Sequence, residues 1–425
     1  MPRANSLQAK AKLEGPDAIA ATVSCQDPIA GELPLGLANI SKRIFEGADL
    51  RPLGRRLIDH VKRHGDDAVA LMDLSRLLLL TGDTANGEAL QARALSLQRT
   101  YCQPAAAEIS RPLRLLAFMA PGDLMTNTPI EFLLQHSNVE LHTYYVLPDE
   151  PLGAPMPDHD LACVAINESD RNQPLLAMLE QRLANWPRTI VNLPGAIAKL
   201  TRDGTYALLH DIPGVFMPPS VRLSRDTLAR AADRNMAAAE TLPGFDFPII
   251  VRPIASHAGH GLLKIEEQSA LSGYLSSQAE DEFYVSPFVD YRSGDGLFRK
   301  YRIVLIGGRP YACHMAISQH WMIHYLNAGM TESVAKRAEE ARFMESFDAD
   351  FARRHGPVLR SIAARLDLDY FGIDCGETKD GRLLIFEADV GMIVHDMDPV
   401  GMFPYKQPQM QKVFRAFRDM LWQAA

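Results

Sequence analysis

Cysteine is scarce in this chain. Five occur in 425 residues, Cys25, Cys102, Cys163, Cys313 and Cys375, and no two of them form a CxxC pair. That scatter indicates neither a disulfide framework nor a zinc site, and it fits reduced thiols in a cytoplasmic protein. Long apolar runs are missing too. No stretch of about 18 residues is apolar throughout, so no membrane-spanning helix is expected. Met1 to Gly15 is polar and lacks the apolar middle of a secretory signal. Positive charge is in the minority: 44 lysines and arginines face 52 acidic residues, for a net charge of −8. This argues against a broad nucleic-acid face, yet leaves room for a nucleotide held by a few cations. No GxSxG motif and no cysteine placed for nucleophilic catalysis is found.

What is present is the composition of a globular protein, with 47% hydrophobic and 23% charged residues and enough length for two or three domains. Residues 1 to 35 read as a loose segment punctuated by Pro16, Pro28, Gly31 and Pro34. An all-α region follows over 36–105. Within it, Asp67 to Leu97 reads as two amphipathic helices around Thr81-Gly82-Asp83, with Leu71, Leu74, Leu77 and Leu78 on one face of the first. Gly82 suits a helix C-cap, and Asp83 or Thr84 suits the next N-cap. This pair resembles a single tetratricopeptide repeat, or is a plain helical hairpin packed on the next domain.

At Arg111 the pattern changes to strands alternating with helices through residue 195, which implies a small parallel α/β subdomain. Leu113 to Met119 is an apolar run suited to a buried parallel strand. Residues 196–425 then read as a mixed α+β domain. Strands are expected at 247–252, 261–266, 282–289, 300–307, 310–317, 369–377 and 382–389, and helices at 201–210, 224–238, 331–348 and 350–366.

Three clusters in that domain carry chemistry. The first is a strand ending in Arg252, followed by Ser256-His257-Ala-Gly259-His-Gly261. Backbone N–H groups of such a loop can approach phosphate oxygens while the arginine supplies charge, although an ordinary hairpin turn reads the same way. The second is the strand Tyr284 to Val289, whose backbone suits the edge of an adenine ring or is a plain buried strand. The third is Gly372-Ile-Asp374 and Glu387-Ala-Asp389, joined across Asp380-Gly381, a strong hairpin signal. Glu387 and Asp389 share one face, and Asp374 can lie beside Glu387. Three carboxylates so placed call for a cation, and an oxygen-only set favours magnesium or manganese.

The order of these clusters resembles the ATP-grasp superfamily over residues 190–400, and within it the subgroup of ribosomal-protein glutamate ligases. The resemblance implies an ATP-grasp fold and an ATP-dependent carboxylate–amine ligase that works through an acyl phosphate. Carried over by position, Asp374, Glu387 and Asp389 would bind magnesium. Arg252 would replace the lysine on the α- and β-phosphates, with Ser256, His257, Gly259 and Gly261 around them. Lys199 would be a second, more N-terminal cation, although Arg202-Asp203 also fits that place. Ser286, Phe288 and Val289 would present adenine contacts, and Asp290 or Asp295 the ribose contact. Arg302 would sit beside the γ-phosphate or acyl phosphate, making Arg302 and Arg252 the catalytic cations. Three departures stand out: arginine for lysine at 252, Asp389 for the usual asparagine, and Lys300 where a ribose-binding acid is common.

The stretch from Cys313 to Met330 is rich in histidine and aromatics and reads as a substrate segment. Ser318, His320, His324, Tyr325 and Asn327 are the candidates, with His395 beyond the acidic hairpin. His320 and His324 are spaced as one helical turn, which could hold zinc. The expected partners are small-molecule or peptide carboxylates and amines, a protein or peptide at the N-terminal helices, and a second copy in a homodimer. Nucleic acid and membrane are not expected. Two other readings stay open: a degenerate ATP-binding interaction protein, and a phosphotransferase of the same fold.

Overall fold

The computed structural model describes residues 31–105, 111–148, 150–153, 156–233, 242, 244–254, 256 and 259–425. Contacts divide the chain into two compact units, Met1–Ile197 together with Val390–Ala425, and Ala198–Asp389.

Among the described residues, the first unit opens with four helices, α1 (Gly36–Phe45), α2 (Arg51–Arg63), α3 (Ala68–Thr81) and α4 (Thr84–Leu97). Their ends are set by local chemistry. The Asp67 side chain accepts from the amides of Val69 and Ala70 at the start of α3. Gly82 closes α3 at φ 93°, a conformation that costs glycine little, and Asp83 caps α4. Gly87 lets α4 approach α3: a Cβ there would lie 2.7 Å from Leu79 Cγ. Asp73, fully buried, accepts from the amides of Leu35 (2.6 Å) and Gly36 (3.2 Å) and pairs with Arg76 at 3.3 Å. A buried carboxylate needs this number of partners.

The same unit carries a five-stranded sheet, formed by β1 (Thr100–Gln103), β2 (Leu113–Met119), β3 (Val139–Tyr145), β4 (Leu161–Val164) and β5 (Ile190–Val191) in the order β1-β3-β2-β4-β5. The last four strands in that order are parallel, and β1 joins the edge antiparallel to β3. Six of the seven residues of β2 are buried, as its apolar run predicts. Helices α5 (Ile130–Leu133), α6 (Gln173–Leu183) and α7 (Pro194–Ile197) complete it, together with the C-terminal helix Lys406–Ala424. That helix buries Met410, Val413, Phe414, Phe417 and Leu421, a 3.6-residue stripe that the sequence reading passed over.

The second unit holds two sheets. One is antiparallel, β7-β10-β8-β9, and the other runs β12-β11-β13-β14-β6. In chain order the elements are α8 (Arg202–Leu209), β6 (Val215–Phe216), β7 (Val221–Ser224), α9 (Arg225–Ala231), β8 (Ile249–Pro253), β9 (Leu263–Ile265), α10 (Leu271–Ser276), β10 (Glu282–Pro287), β11 (Phe298–Ile306), β12 (Arg309–Ser318), α11 (Val334–Ser346), α12 (Phe351–Leu366), β13 (Tyr370–Glu377) and β14 (Leu383–Asp389). The first sheet packs Ile249, Val251, Phe283 and Val285 against Leu228, Leu271 and Leu275. In the second, β11, β13 and β14 form an antiparallel run, with Gly381 at φ 82° in the β13–β14 turn. No helix among the described residues is long and apolar enough to cross a membrane.

Candidate functional site

The chemistry-bearing residues of the second unit gather where β11, β13 and β14 run side by side. Arg302 stands opposite Asp374, and Asp374 opposite Glu387. Lys300 is two residues before Arg302 and so shares its face. The β13–β14 ladder slips at this level, between Asp374 and Cys375, and β11 slips against its other neighbour β12 between Arg302 and Ile303, while the β11–β13 ladder is continuous. Such bulges re-aim the side chains beside them.

Asp374 is 1% exposed and holds two cations. The Lys300 ammonium donates to its Oδ2 at 2.7 Å, and Arg302 donates through Nε to Oδ1 at 2.8 Å and through Nη2 to Oδ2 at 2.9 Å. Burial alone would raise this carboxyl; Arg302 and then Lys300 outweigh it and hold it well below the usual carboxylate range. Glu387 has its own cation. Arg202, at the first turn of α8, donates to Oε2 at 2.5 Å and to the Phe386 carbonyl at 3.3 Å. Against the cost of burial, Arg202 is the strongest influence that lowers the Glu387 carboxyl.

Arg252 completes a cationic group. Burial, then repulsion from Arg202, pushes its guanidinium down, while Glu387 pulls the other way. A guanidinium stays charged at neutral pH, so Arg202 and Arg252 face each other as like charges that an incoming anion would relieve. Arg252 Nε also donates to Ser256 Oγ at 3.2 Å, and a second bond goes to the Ser256 carbonyl. This fastens the strand end to the glycine loop, where Gly259 and Gly261 take φ values of 75° and 66°. His257 lies outside the described residues. His324 is lowered by burial and then by Lys300 and Arg302, which favours its neutral imidazole. Its side chain accepts from the backbone of Asn327. One ring nitrogen is thereby occupied as an acceptor, which leaves the other to carry the proton.

These residues do not fit a preformed divalent-metal site. The ligand atoms of Asp374, Glu387 and Asp389 do not come within 4.8 Å of one another as a group; among the described residues only Cys102, Glu140 and His142 do so. Both oxygens of Asp374 already accept from cations, and Asp389 stands opposite Gly372. Magnesium there requires the Lys300 and Arg302 pairs to open.

The other expected residues fall in several places. Lys199 is exposed, and Arg202, the alternative at that place, is the cation that meets Glu387. Ser286, Phe288 and Val289 are half-buried at the end of β10, where the Phe288 ring already has Lys264 Nζ 3.9 Å from its centre and Trp321 edge-on at 5.6 Å. Asp290 is exposed and held by Arg292, and Asp295 by Arg299, so each carboxylate has a neighbouring cation of its own. Phe288 and Val289 line a cavity of about 430 Å³ with Tyr206, His210, Val215 to Pro219, Pro287 and Arg382; none of the cationic cluster lines it.

In the candidate substrate segment, Ser318 is buried and accepts from the His320 amide. The Tyr325 hydroxyl donates at 2.9 Å to the buried Glu340, and its ring lies 4.7 Å from that of His314. The stretch from Gln319 to Met322 forms bends and no helix runs from His320 to His324, so the one-turn spacing of the two histidines does not place them on one helical face. His395 belongs to the first unit, where its ring packs against Phe45 at 4.7 Å. Lys300 is the member the sequence reading left without a role. Its signal was its position, two residues before Arg302 on one strand face.

No protein-family model matches the sequence, and no curated protein matches it. Solved structures similar to the chain include the D-alanine–D-alanine ligase of Bacillus anthracis complexed with ATP, at 12% identity and TM-score 0.42 over 73% of this chain and 96% of that one. The VanG D-Ala:D-Ser ligase of Enterococcus faecalis gives 13% and 0.44 over 73% and 100%. A RimK domain protein of ATP-grasp type from Sphaerobacter thermophilus gives 15% and 0.39 over 72% and 99%. Likeness at this level assigns neither activity nor substrate.

Proposed function

We propose that the second unit is an ATP-grasp-type catalytic unit that binds ATP and joins a carboxylate to an amine, releasing ADP and phosphate. The observation that carries this reading is the group of four cations, Arg202, Arg252, Lys300 and Arg302, assembled around Asp374 and Glu387 and beside a glycine loop. Transfer of a phosphoryl group to a carboxylate spreads negative charge over the equatorial oxygens, and fixed positive charge stabilises it. Arg252 and the amides of the 256–261 loop would hold the α- and β-phosphates. Arg302 and Lys300 would meet the γ-phosphoryl group and the acyl phosphate formed from it. His324, neutral, would donate a hydrogen bond to the same anion. An amine then displaces phosphate from the acyl carbon. Positioning supplies much of the rate, in keeping with the lack of a nucleophile motif. Asp374 and Glu387 are already taken by Lys300, Arg302 and Arg202, so these cations carry the charge stabilisation.

A second reading has its own observation. Arg302 and Lys300 both clamp Asp374, which favours a nucleotide-binding protein without turnover, its N-terminal helices serving a partner as a tetratricopeptide-like module would. The test is release of ADP and phosphate by the full chain, with magnesium, against a panel of amino-acid and peptide carboxylates and amines. Turnover that depends on an amine and is lost in Arg302→Met supports the ligase. ATP binding without turnover supports the second reading, and ADP release without an amine supports a phosphotransferase. Absence of ATP binding overturns all three.

A further inference from the structure

A second cluster of ligating side chains lies in the first unit, independent of the proposed ligase site. Cys102 on β1 stands directly opposite His142 on β3 in the antiparallel ladder. Glu140 precedes His142 by two residues, so all three side chains leave the same face of the sheet. Their thiol, carboxylate and imidazole ligand atoms all lie within 4.8 Å of one another. His142 Nε2 and Glu140 Oε1 are already 2.7 Å apart. Cys102 is exposed and the other two are half-buried, so solvent reaches the cluster.

We propose that Cys102, Glu140 and His142 bind one zinc-type divalent ion. Zinc takes thiolate, imidazole and carboxylate ligands at roughly 2.0–2.3 Å in a tetrahedron, which sets neighbouring ligand atoms roughly 3.3–3.8 Å apart. The observed spacing needs only small side-chain rotations to reach it. The ligand set discriminates among metals: a thiolate with an imidazole selects zinc and its chemical relatives over magnesium or calcium, which prefer oxygen throughout. Binding displaces the thiol proton and replaces the His142–Glu140 hydrogen bond with two metal bonds. Three protein ligands leave a fourth position for water.

The position suggests what the ion does. Strand β1 has four residues and, among the described residues, pairs with β3 alone and is the sole antiparallel member of its sheet. An ion bridging Cys102 to His142 and Glu140 would cross-link that edge to β3. The scattered cysteines gave no sign of this in the sequence, because the ligands come together only through the register of two strands some forty residues apart.

The full chain, stripped by a chelator, is titrated with Co²⁺ and then with Zn²⁺. The expected result is a thiolate-to-cobalt charge-transfer band that saturates at one equivalent and is displaced by zinc. Cys102→Ser, an exposed substitution, should abolish the band while keeping the far-UV circular dichroism. His142→Ala and Glu140→Gln should each weaken binding at least tenfold. Zinc should also slow amide exchange in β1. No band in the wild type, or a band of undiminished strength in Cys102→Ser, overturns the proposal.

Discussion

Replacing Asp374 by asparagine should destabilise the second unit by about 3 kcal/mol. The carboxylate is 1% exposed and accepts three charge-assisted hydrogen bonds, one from Lys300 and two from Arg302. Removing one member of such a buried pair costs roughly 3–5 kcal/mol, since the surviving charges lose their partner. Here the lower end applies, because Glu387 remains as a second anion for both cations and their side chains are 16% and 19% exposed. In urea the midpoint should fall by about 1 M at unchanged slope. Amide exchange at Ile373 and Cys375 assigns the loss to β13. The sign with pH is fixed by the depressed carboxyl. Asp374 contributes its stability above its unfolded pKa, and that contribution is lost as pH falls through the lower folded value. The variant should therefore show a shallower loss of stability below pH ~4. A double variant, Lys300→Met with Asp374→Asn, should lose less than the sum of the two single changes, by about 1 kcal/mol or more. An unchanged urea midpoint, or strict additivity, would refute the ion-pair account.

Arg252→Met should weaken ATP binding by about tenfold to a hundredfold, measured by calorimetry, because it removes one of the four cations and the bonds that hold the Ser256 loop to β8. Glu377 is held down to about 2, where His355 and Arg354 outweigh the opposing effect of burial. Its folded value is depressed, so its contribution is present above its unfolded pKa and lost as pH falls toward 2; Glu377→Gln should remove at most about 3 kcal/mol at neutral pH and flatten the acid limb of the stability curve. Gly261→Ala should cost about 2 kcal/mol, because φ is 66° and its Cβ would meet Pro253 Cδ at 2.7 Å, and thermal unfolding reads the loss. Trp321 packs on Phe288 at the end of β10, so if that segment takes the adenine, ATP should change tryptophan emission in the wild type and leave it flat in Trp321→Phe.

In the second unit the strands β8 to β14 were legible because hydrophobic runs and turn residues mark them locally, whereas β6 and β7, two and four residues long, carry too little pattern. Asp380-Gly381 announced the hairpin, and the runs at 298–306, 309–318 and 370–377 follow the expected segments to within two residues. Strand β1 was not legible: four residues directly after a helix carry too little pattern, and their pairing with β3 is a tertiary event. The C-terminal helix, by contrast, carries its signal in the apolar period of Met410, Val413, Phe414, Phe417 and Leu421.

The site shows the same division between residue identity and spatial pairing. Asp374 and Glu387 could be placed side by side from the hairpin only to within one residue: the turn register run on from Cys375 opposite Ile385 would set Phe386 opposite Asp374, and the bulge between Asp374 and Cys375 brings Glu387 there instead. Their partners could not, since Lys300 and Arg302 arrive from β11 and Arg202 from the start of α8, far away in sequence. That difference reverses the electrostatic argument. Three carboxylates read alone call for an external cation. Two of them, Asp374 and Glu387, carry their own in Lys300, Arg302 and Arg202, and the place then favours an incoming anion. Lys300 tips the balance most directly, for an acid in its place would leave Asp374 with Arg302 alone and add a negative charge. Lys300→Asp should thus weaken ATP binding without a divalent ion and make the remaining binding depend strongly on magnesium, measured by titration with and without chelator. Equal magnesium dependence in the two proteins would show that the strand-borne lysine does not set the charge of the site.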